Sequence, residues 1–243
     1  MTMSKIKDRS WTRSARRRAG VLAAVAPLAS LISMSSGCAA YRRPLELPPR
    51  DKPYVAVLSG EIPEPISMVA RHAWIIANKA DGTDLRRYEL LGDAFATVTT
   101  DPLDWIGPGD VALHGVIGGD RAEVAGVVEC LERETPLYNE EHPTYFPMPG
   151  PNSNTYVDQM LRRCDIHCDL PATAVGKDYR GVIGASFTSG GTGVQLETWL
   201  GGVKIGVKEG VELHVLGLSI GVDLWPPALI VPVNPGRIGF DDR

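Results

Sequence analysis

The sequence predicts an α+β protein, with an antiparallel sheet carrying packed helices and a C-terminal β extension. Three observations carry this. Short runs rich in β-formers alternate with turn signals up to residue 117. Two stretches between residues 121 and 164 repeat apolar residues at helical spacing. From Val194 onward the pattern is strand throughout.

The chain begins with a segment outside that pattern. Lys5, Lys7, Arg9, Arg13 and Arg16-Arg17-Arg18 form a basic stretch, Ala19 to Met34 an apolar run without a charge, and Ser35-Ser36-Gly37-Cys38 closes it. This is the layout of a secretory signal. Because it ends at a cysteine, it resembles a bacterial lipoprotein signal peptide, with Ser35 where leucine is usual. A plain signal peptide cut after Ala39 or Ala40, or a membrane anchor, are the other readings. A span needs about 20 apolar residues, and this run is shorter. The resemblance implies that Cys38 is the acylated N-terminus of the mature protein. Several acyl chains, at about 0.8 kcal/mol per buried CH₂, would hold it on a membrane. Ala39, in place of an aspartate, points to the outer membrane and its periplasmic face. Arg17-Arg18-Ala19-Gly20 is a fragment of a twin-arginine pattern, which leaves two export routes open. The expected organisation is a signal peptide over 1–37, a Pro- and Arg-rich tether over 38–53, and a single α+β domain over 54–243.

Of the 25 Lys and Arg, seven lie in the first 37 residues, and of the 29 Asp and Glu, one does. That leaves 18 basic against 28 acidic residues, near −10, a surface that repels phosphate backbones. Nucleic acid is excluded as a partner on this ground. Beyond Cys38 the cysteines are Cys130, Cys164 and Cys168. Outside the cytoplasm these predict one disulfide, whose partners the spacing does not choose. Cys164-Asp165-Ile166-His167-Cys168 lacks a fourth ligand and fits no standard zinc knuckle, so neither metal nor cofactor is expected.

Tyr54 to Ser59 reads as the first strand, and Arg71 to Ala77 as the second. Asp81-Gly82 is a hairpin signal returning through Leu85 to Leu91. A two-residue loop pairs His72 with Leu91 and Trp74 with Glu89; a four-residue loop pairs His72 with Asp93. In either register His72 shares a face with Glu89 and Asp93, and Tyr88 points the other way. A carboxylate beside an imidazole fixes its tautomer and supports it as a base. The plainer alternative is a half-buried strand histidine beside a solvated glutamate.

Asp110 to Ile117 is a strand carrying His114. Asp120 caps a helix over Arg121 to Glu134, with Val124, Val127, Val128 and Leu131 on one stripe. A Pro-rich loop over Pro136 to Pro151 leads into a second helix, in which Val157, Met160, Leu161 and Cys164 form the apolar stripe. Ser153 falls at or near its first cap. A serine there is either an N-cap or a nucleophile whose developing anion meets the positive end of the helix dipole. Leu170 to Tyr179 is irregular. Ser189-Gly190-Gly191-Thr192-Gly193 lacks the Lys-Ser/Thr of a phosphate loop and reads as a turn. Val203, Ile205 and Val207 alternate with Lys204 and Lys208, Val211 to Leu224 continues as a strand pair, and the Pro-rich end from Pro226-Pro227 is expected to lie on the surface as a strap.

Gly150-Pro151-Asn152-Ser153-Asn154-Thr155-Tyr156, with Leu170-Pro171 and Ala174-Val175-Gly176-Lys177-Asp178-Tyr179 after it, resembles a bacterial family of envelope proteins without a settled activity, from about residue 54 onward. More distantly, a strand histidine, a hairpin, a helix and then an Asn-Ser-x-x-Tyr helix start are similar to the circularly permuted papain-like proteins. These include the NlpC-related peptidases and the lecithin:retinol acyltransferase-like enzymes. That resemblance implies a permuted papain-like core in which His72 matches the histidine, Ser153 occupies the nucleophilic cysteine position and Tyr156 the aromatic one. A hydroxyl ionises far less readily than a thiol, so Ser153 needs a well-placed base and an oxyanion hole. The expected catalytic set is Ser153, His72 and Glu89, with Asp93 and His114 competing for the third place. The resulting expectations are two. One is a lipid-anchored envelope protein that binds cell-wall or lipid fragments without turnover. The other is a serine hydrolase or acyltransferase acting on amide or ester bonds of peptidoglycan or acyl lipids.

Overall fold

Tyr54 to Leu58 is apolar at every position, and a strand of that composition is stable where both of its faces are covered. The computed structural model, which describes residues 45–79, 85–91, 97–99 and 111–240, places it there. Strand β1 (Tyr54–Glu61) lies between β2 (Arg71–Asn78) and β5 (Val111–Gly118). With β3 (Leu85–Glu89) and β4 (Thr97–Thr99) they form an antiparallel sheet in the order β4-β3-β2-β1-β5. One face, carrying Val55, Val57, Ala73, Ile75 and Tyr88, packs against the helices. The other, carrying Tyr54, Ala56, Leu58, Trp74 and Ile76, is covered in part by Leu45 and Leu47. The described end of the tether is thus laid along the sheet, and Asn78 Nδ2 donates to the carbonyls of Arg50 and Lys52.

Ile75 faces Tyr88 and Asn78 faces Leu85, the register that sets Trp74 opposite Glu89. The expected Asp81-Gly82 turn, Asp93, and the whole leader with Cys38 lie outside the described residues. Helix α1 (Arg121–Glu141) starts as expected, with the Asp120 side chain accepting from the N–H groups of Ala122 and Glu123. It does not stop at Glu134. It continues through Pro136, because Tyr138 is buried against Tyr156, with ring centroids 5.1 Å apart, and Glu134 and Glu141 both pair with Arg163 of the second helix. These contacts outweigh the roughly 3 kcal/mol that an interior proline costs a helix. Helix α2 (Ser153–Arg163) buries Tyr156, Val157, Met160 and Leu161. A disulfide joins Cys130 of α1 to Cys164 at the end of α2, Cα to Cα 5.6 Å, which settles the pairing that the sequence left open; Cys168 is a buried thiol.

The second sheet is an antiparallel meander in the order β12-β11-β10-β9-β8-β7-β6. Its strands are β6 (Ile183–Phe187), β7 (Gly193–Thr198), β8 (Gly201–Gly206), β9 (Gly210–Val215), β10 (Leu218–Leu224), β11 (Pro227–Ile230) and β12 (Arg237–Gly239). Leu216 and Gly217 both have positive φ, +51° and +82°, as the tight turn between β9 and β10 requires. The Pro-rich end is not a surface strap. It supplies β11 and β12, with Pro227 opening β11, where a strand tolerates a missing N–H. All described residues belong to one unit spanning Arg42–Arg243. No described helix is long and apolar enough to cross a membrane.

Candidate functional site

The start of α2 is held by side chains rather than by chance packing. Asn152, not Ser153, is the N-cap: its Oδ1 accepts from the N–H groups of Asn154 (2.9 Å) and Thr155 (3.1 Å), while Thr155 Oγ1 accepts from the Asn152 N–H (3.1 Å). This is a reciprocal capping box. Asn152 Nδ2 also donates to the carbonyls of Pro147 and Val175. Ser153 is therefore the first helical residue.

Asn154 fixes this turn to the first sheet. Its Oδ1 accepts from the Ala73 N–H (2.9 Å) and its Nδ2 donates to the Arg71 carbonyl (2.9 Å). These two backbone groups bracket His72, and β3 ends too early to pair with them. The clamp sets the helix start against the backbone of β2, but the His72 side chain lies with Trp74 on the sheet face turned away from α1 and α2, so the structure does not bring the imidazole and Ser153 together.

His72 and Glu89 meet, with Nε2 and Oε2 3.1 Å apart. Glu89 Oε2 also accepts from Arg87 Nη2 at 2.6 Å, and the Arg87 guanidinium lies 4.3 Å from the Trp74 ring centre. Burial pushes the Glu89 carboxyl up, but the His72 hydrogen bond and the Arg87 charge together bring it below its ordinary value. Both residues are buried, so Glu89 is an enclosed partner rather than a solvated edge charge. Ser153 is also buried, and no hydrogen bond among the described residues links it to His72. The serine that does touch a histidine is Ser59, whose Oγ lies 2.8 Å from His114 Nε2 and accepts from Arg71 Nε at 3.0 Å. Ser59 is fully enclosed, out of reach of a substrate. His114 is thereby engaged with Ser59.

A second cluster, which the sequence reading did not single out, lies where the second sheet meets the irregular 169–180 segment. Asp178 is its hub. It pairs with Lys177 Nζ and Lys204 Nζ, each at 3.1 Å, and accepts from Gln195 Nε2 (3.0 Å) and Ser219 Oγ (3.0 Å). Glu212 pairs with both lysines at 3.4 Å. His214 bonds Glu197 through Nδ1 and stands 3.5 Å from Asp178 and Glu212 through Nε2. Arg180 ties the cluster to α2 by pairing with Asp158 at 2.9 Å. Burial pushes Glu212 up and the two lysines pull it down further, to about 2; the same balance holds Asp178 well below its ordinary range. Burial disfavours the His214 imidazolium, yet Asp178, Glu197 and Glu212 raise its pKa overall. Asp178, Glu212 and His214 bring their ligand atoms within 4.8 Å of one another. The two ammonium groups already on the carboxylates supply the positive charge that an ion would bring, so the set fits an ion network better than a metal centre. A cleft beside it, between Asp178, His214, Tyr179, Trp199 and Gly217, has room for about one water. Its sequence signal was the alternation of polar and apolar residues along β7 to β9, with Gln195, Glu197, Lys204, Glu212 and His214 on one face.

The model of the family described as "Protein of unknown function (DUF3750)" matches residues 52–179, and the chain belongs to that family. The match covers the first sheet, both helices and Lys177-Asp178-Tyr179. No curated protein matches the chain. No solved structure matches it either.

Proposed function

We propose that this is an exported, lipid-anchored envelope protein, acylated at Cys38 and facing the periplasm from the outer membrane. Its permuted papain-like core binds cell-wall or lipid fragments rather than turning them over. One observation carries the preference for binding. The imidazole of His72 gives its Nε2 to Glu89, itself neutralised by Arg87, and makes no hydrogen bond to Ser153. General-base activation of a hydroxyl needs that contact, directly or through one water. The oxidised Cys130–Cys164 pair fits an oxidising compartment. The Asn154 clamp sets the Asn152-Ser153 helix start against the β2 backbone, while the His72 imidazole lies with Trp74 on the face away from α2, which supports binding over turnover.

The test has two arms. Labelling cells with an alkyne palmitate should mark the protein and lose the mark in Cys38→Ser; an unlabelled wild type would refute the anchor. A fluorophosphonate probe should leave the folded protein unlabelled. Labelling at Ser153 that disappears in His72→Ala would instead establish the serine hydrolase or acyltransferase reading. The His72–Glu89 pair resembles the base and orienter of a triad and is the feature behind that second reading, which further requires the imidazole to reach Ser153 from the sheet face away from α2.

A further inference from the structure

The second sheet is turned inside out relative to an ordinary half-buried sheet. Its charged side chains point inward, with Lys204 2% and His214 3% exposed, and its outer face is apolar across all of its strands. Phe187 of β6, Leu196 of β7, Ile205 of β8, Leu213 of β9, Ile220 of β10 and Leu229 of β11 mark that face from one edge towards the other. Both rims extend it, through Trp199 at one end and Trp225, 81% exposed, at the other. No charged residue lies on the outward positions of these strands.

Strands about 4.8 Å apart and rising about 3.3 Å per residue give this face a width near 30 Å and a height near 20 Å, roughly 600 Å² in projection. Contiguous apolar patches on a monomer rarely exceed that size without a partner. Two such faces brought together bury at least about 1,200 Å², which reaches the range of stable protein interfaces. The geometry points to a second copy of this chain as the occupant: the outer face of the second sheet is a self-association surface, closed by the same face of another copy around a two-fold axis. Stacked antiparallel sheets about 10 Å apart are a standard packing, and a two-fold axis makes one patch self-complementary. The absence of charge on the face matters here, because two copies of a chain that is near −10 beyond residue 37 meet without opposed like charges. A lipid interior is the weaker fit. The strands are 3 to 7 residues long, short of the roughly 9–11 that cross a bilayer, and β6 and β12 leave open edges that hydrocarbon does not tolerate.

The experiment is a cysteine scan of the full chain in native membranes. Single substitutions Val203→Cys, Leu213→Cys and Val222→Cys across the central strands, with Glu129→Cys on exposed α1 as control, are oxidised with copper phenanthroline. Self-association predicts a disulfide-linked dimer from at least one of the three and none from the control. The same dimer should form in Cys38→Ser, so its loss there alone would show that the anchor and not the face brings copies together. Leu213→Glu added to Val203→Cys or Val222→Cys should abolish the dimer while keeping the wild-type circular dichroism. Monomeric protein in all three positions overturns the proposal. So does specific labelling of Leu213→Cys by a lipid-phase photoprobe in a non-cross-linking chain, which would give the face to lipid.

Discussion

The first sheet encloses apolar side chains on both faces, with Leu58, Trp74 and Ile75 buried, whereas the second turns Lys204, Glu212 and His214 inward and Ile205 and Leu213 outward. Both have strands that alternate or saturate in apolar residues, yet what each sheet meets is different. Helices α1 and α2 offer the first sheet Val124, Leu131, Tyr156 and Met160, so hydrophobic burial holds them together. The 169–180 segment offers the second sheet Lys177, Asp178 and Arg180, so its inner face must be polar and paired. Burying paired charges contributes little net stability compared with an apolar core, but unpairing one leaves others stranded. The second sheet is therefore positioned by partner identity, and the first by volume and shape.

The largest effect should come from breaking that pairing. Asp178→Ala removes the acceptor of two lysines, Gln195 and Ser219, and should cost about 3–5 kcal/mol. Hydrogen exchange should show β6 to β10 opening before β1 and β2. Ile75→Ala, of similar cost at about 2–5 kcal/mol, should reverse that order. A loss below 1 kcal/mol in Asp178→Ala by urea unfolding would erase the distinction between the sheets.

Reducing the disulfide sharpens the comparison from the other side. Cys130 and Cys164 are 34 residues apart, and loop closure of that length gives about 4 kcal/mol as the ceiling of the effect. Dithiothreitol should lower Tm and loosen α1 and α2 while leaving the Asp178 network paired. Equal protection loss in both sheets would count against independent anchoring.

Acid and base should both weaken the second sheet, through different groups. Glu212 is depressed from 4.5 to about 2, so its contribution is present above about pH 4.5 and is lost as pH falls towards 2. His214 is raised above 6.5, so its contribution is complete below that pH and is lost as pH rises through the folded value. Urea midpoints followed from pH 3 to pH 9 should thus pass through a maximum between about 4.5 and 6.5. His214→Gln should flatten the alkaline arm and keep the acid one; an unchanged alkaline arm would move its origin elsewhere.

The strands of the first sheet and both helix stripes were legible because periodicity and turn residues are local signals. Val124, Val128 and Leu131 face the core as their spacing requires, and the β2–β3 register follows one of the two loop lengths considered. The end of α1 was not legible, since Pro136 is overruled by contacts from Tyr156 and Arg163, far along the chain. Nor was the second cluster. Alternation around Lys204 and Glu212 defines two faces, but which one is inside depends on Lys177 and Asp178 arriving from another segment. His72 with Glu89 was readable from the hairpin alone, whereas Asn154, which joins α2 to β2, sends its bonds across more than eighty residues, to Ala73 and Arg71.

The smallest effect is expected where sequence inspection looks first. Asn152→Ala loses two cap bonds and two donations to Pro147 and Val175, and should cost about 2–3 kcal/mol, above the usual 0.5–2 for a cap alone. Ser153→Ala removes a hydroxyl at the first helical position that caps nothing, and alanine is the better helix former there, so the change should stay within about 0.5 kcal/mol. The two neighbours thus separate a structural role from a chemical one. If the protein binds without turnover and Ser153 takes no part in chemistry, Ser153→Ala keeps both Tm and any affinity for wall or lipid fragments. If it is a nucleophile, stability is equally unchanged but fluorophosphonate labelling vanishes. A large loss of Tm in Ser153→Ala would mean that Ser153, and not Asn152, secures the start of α2.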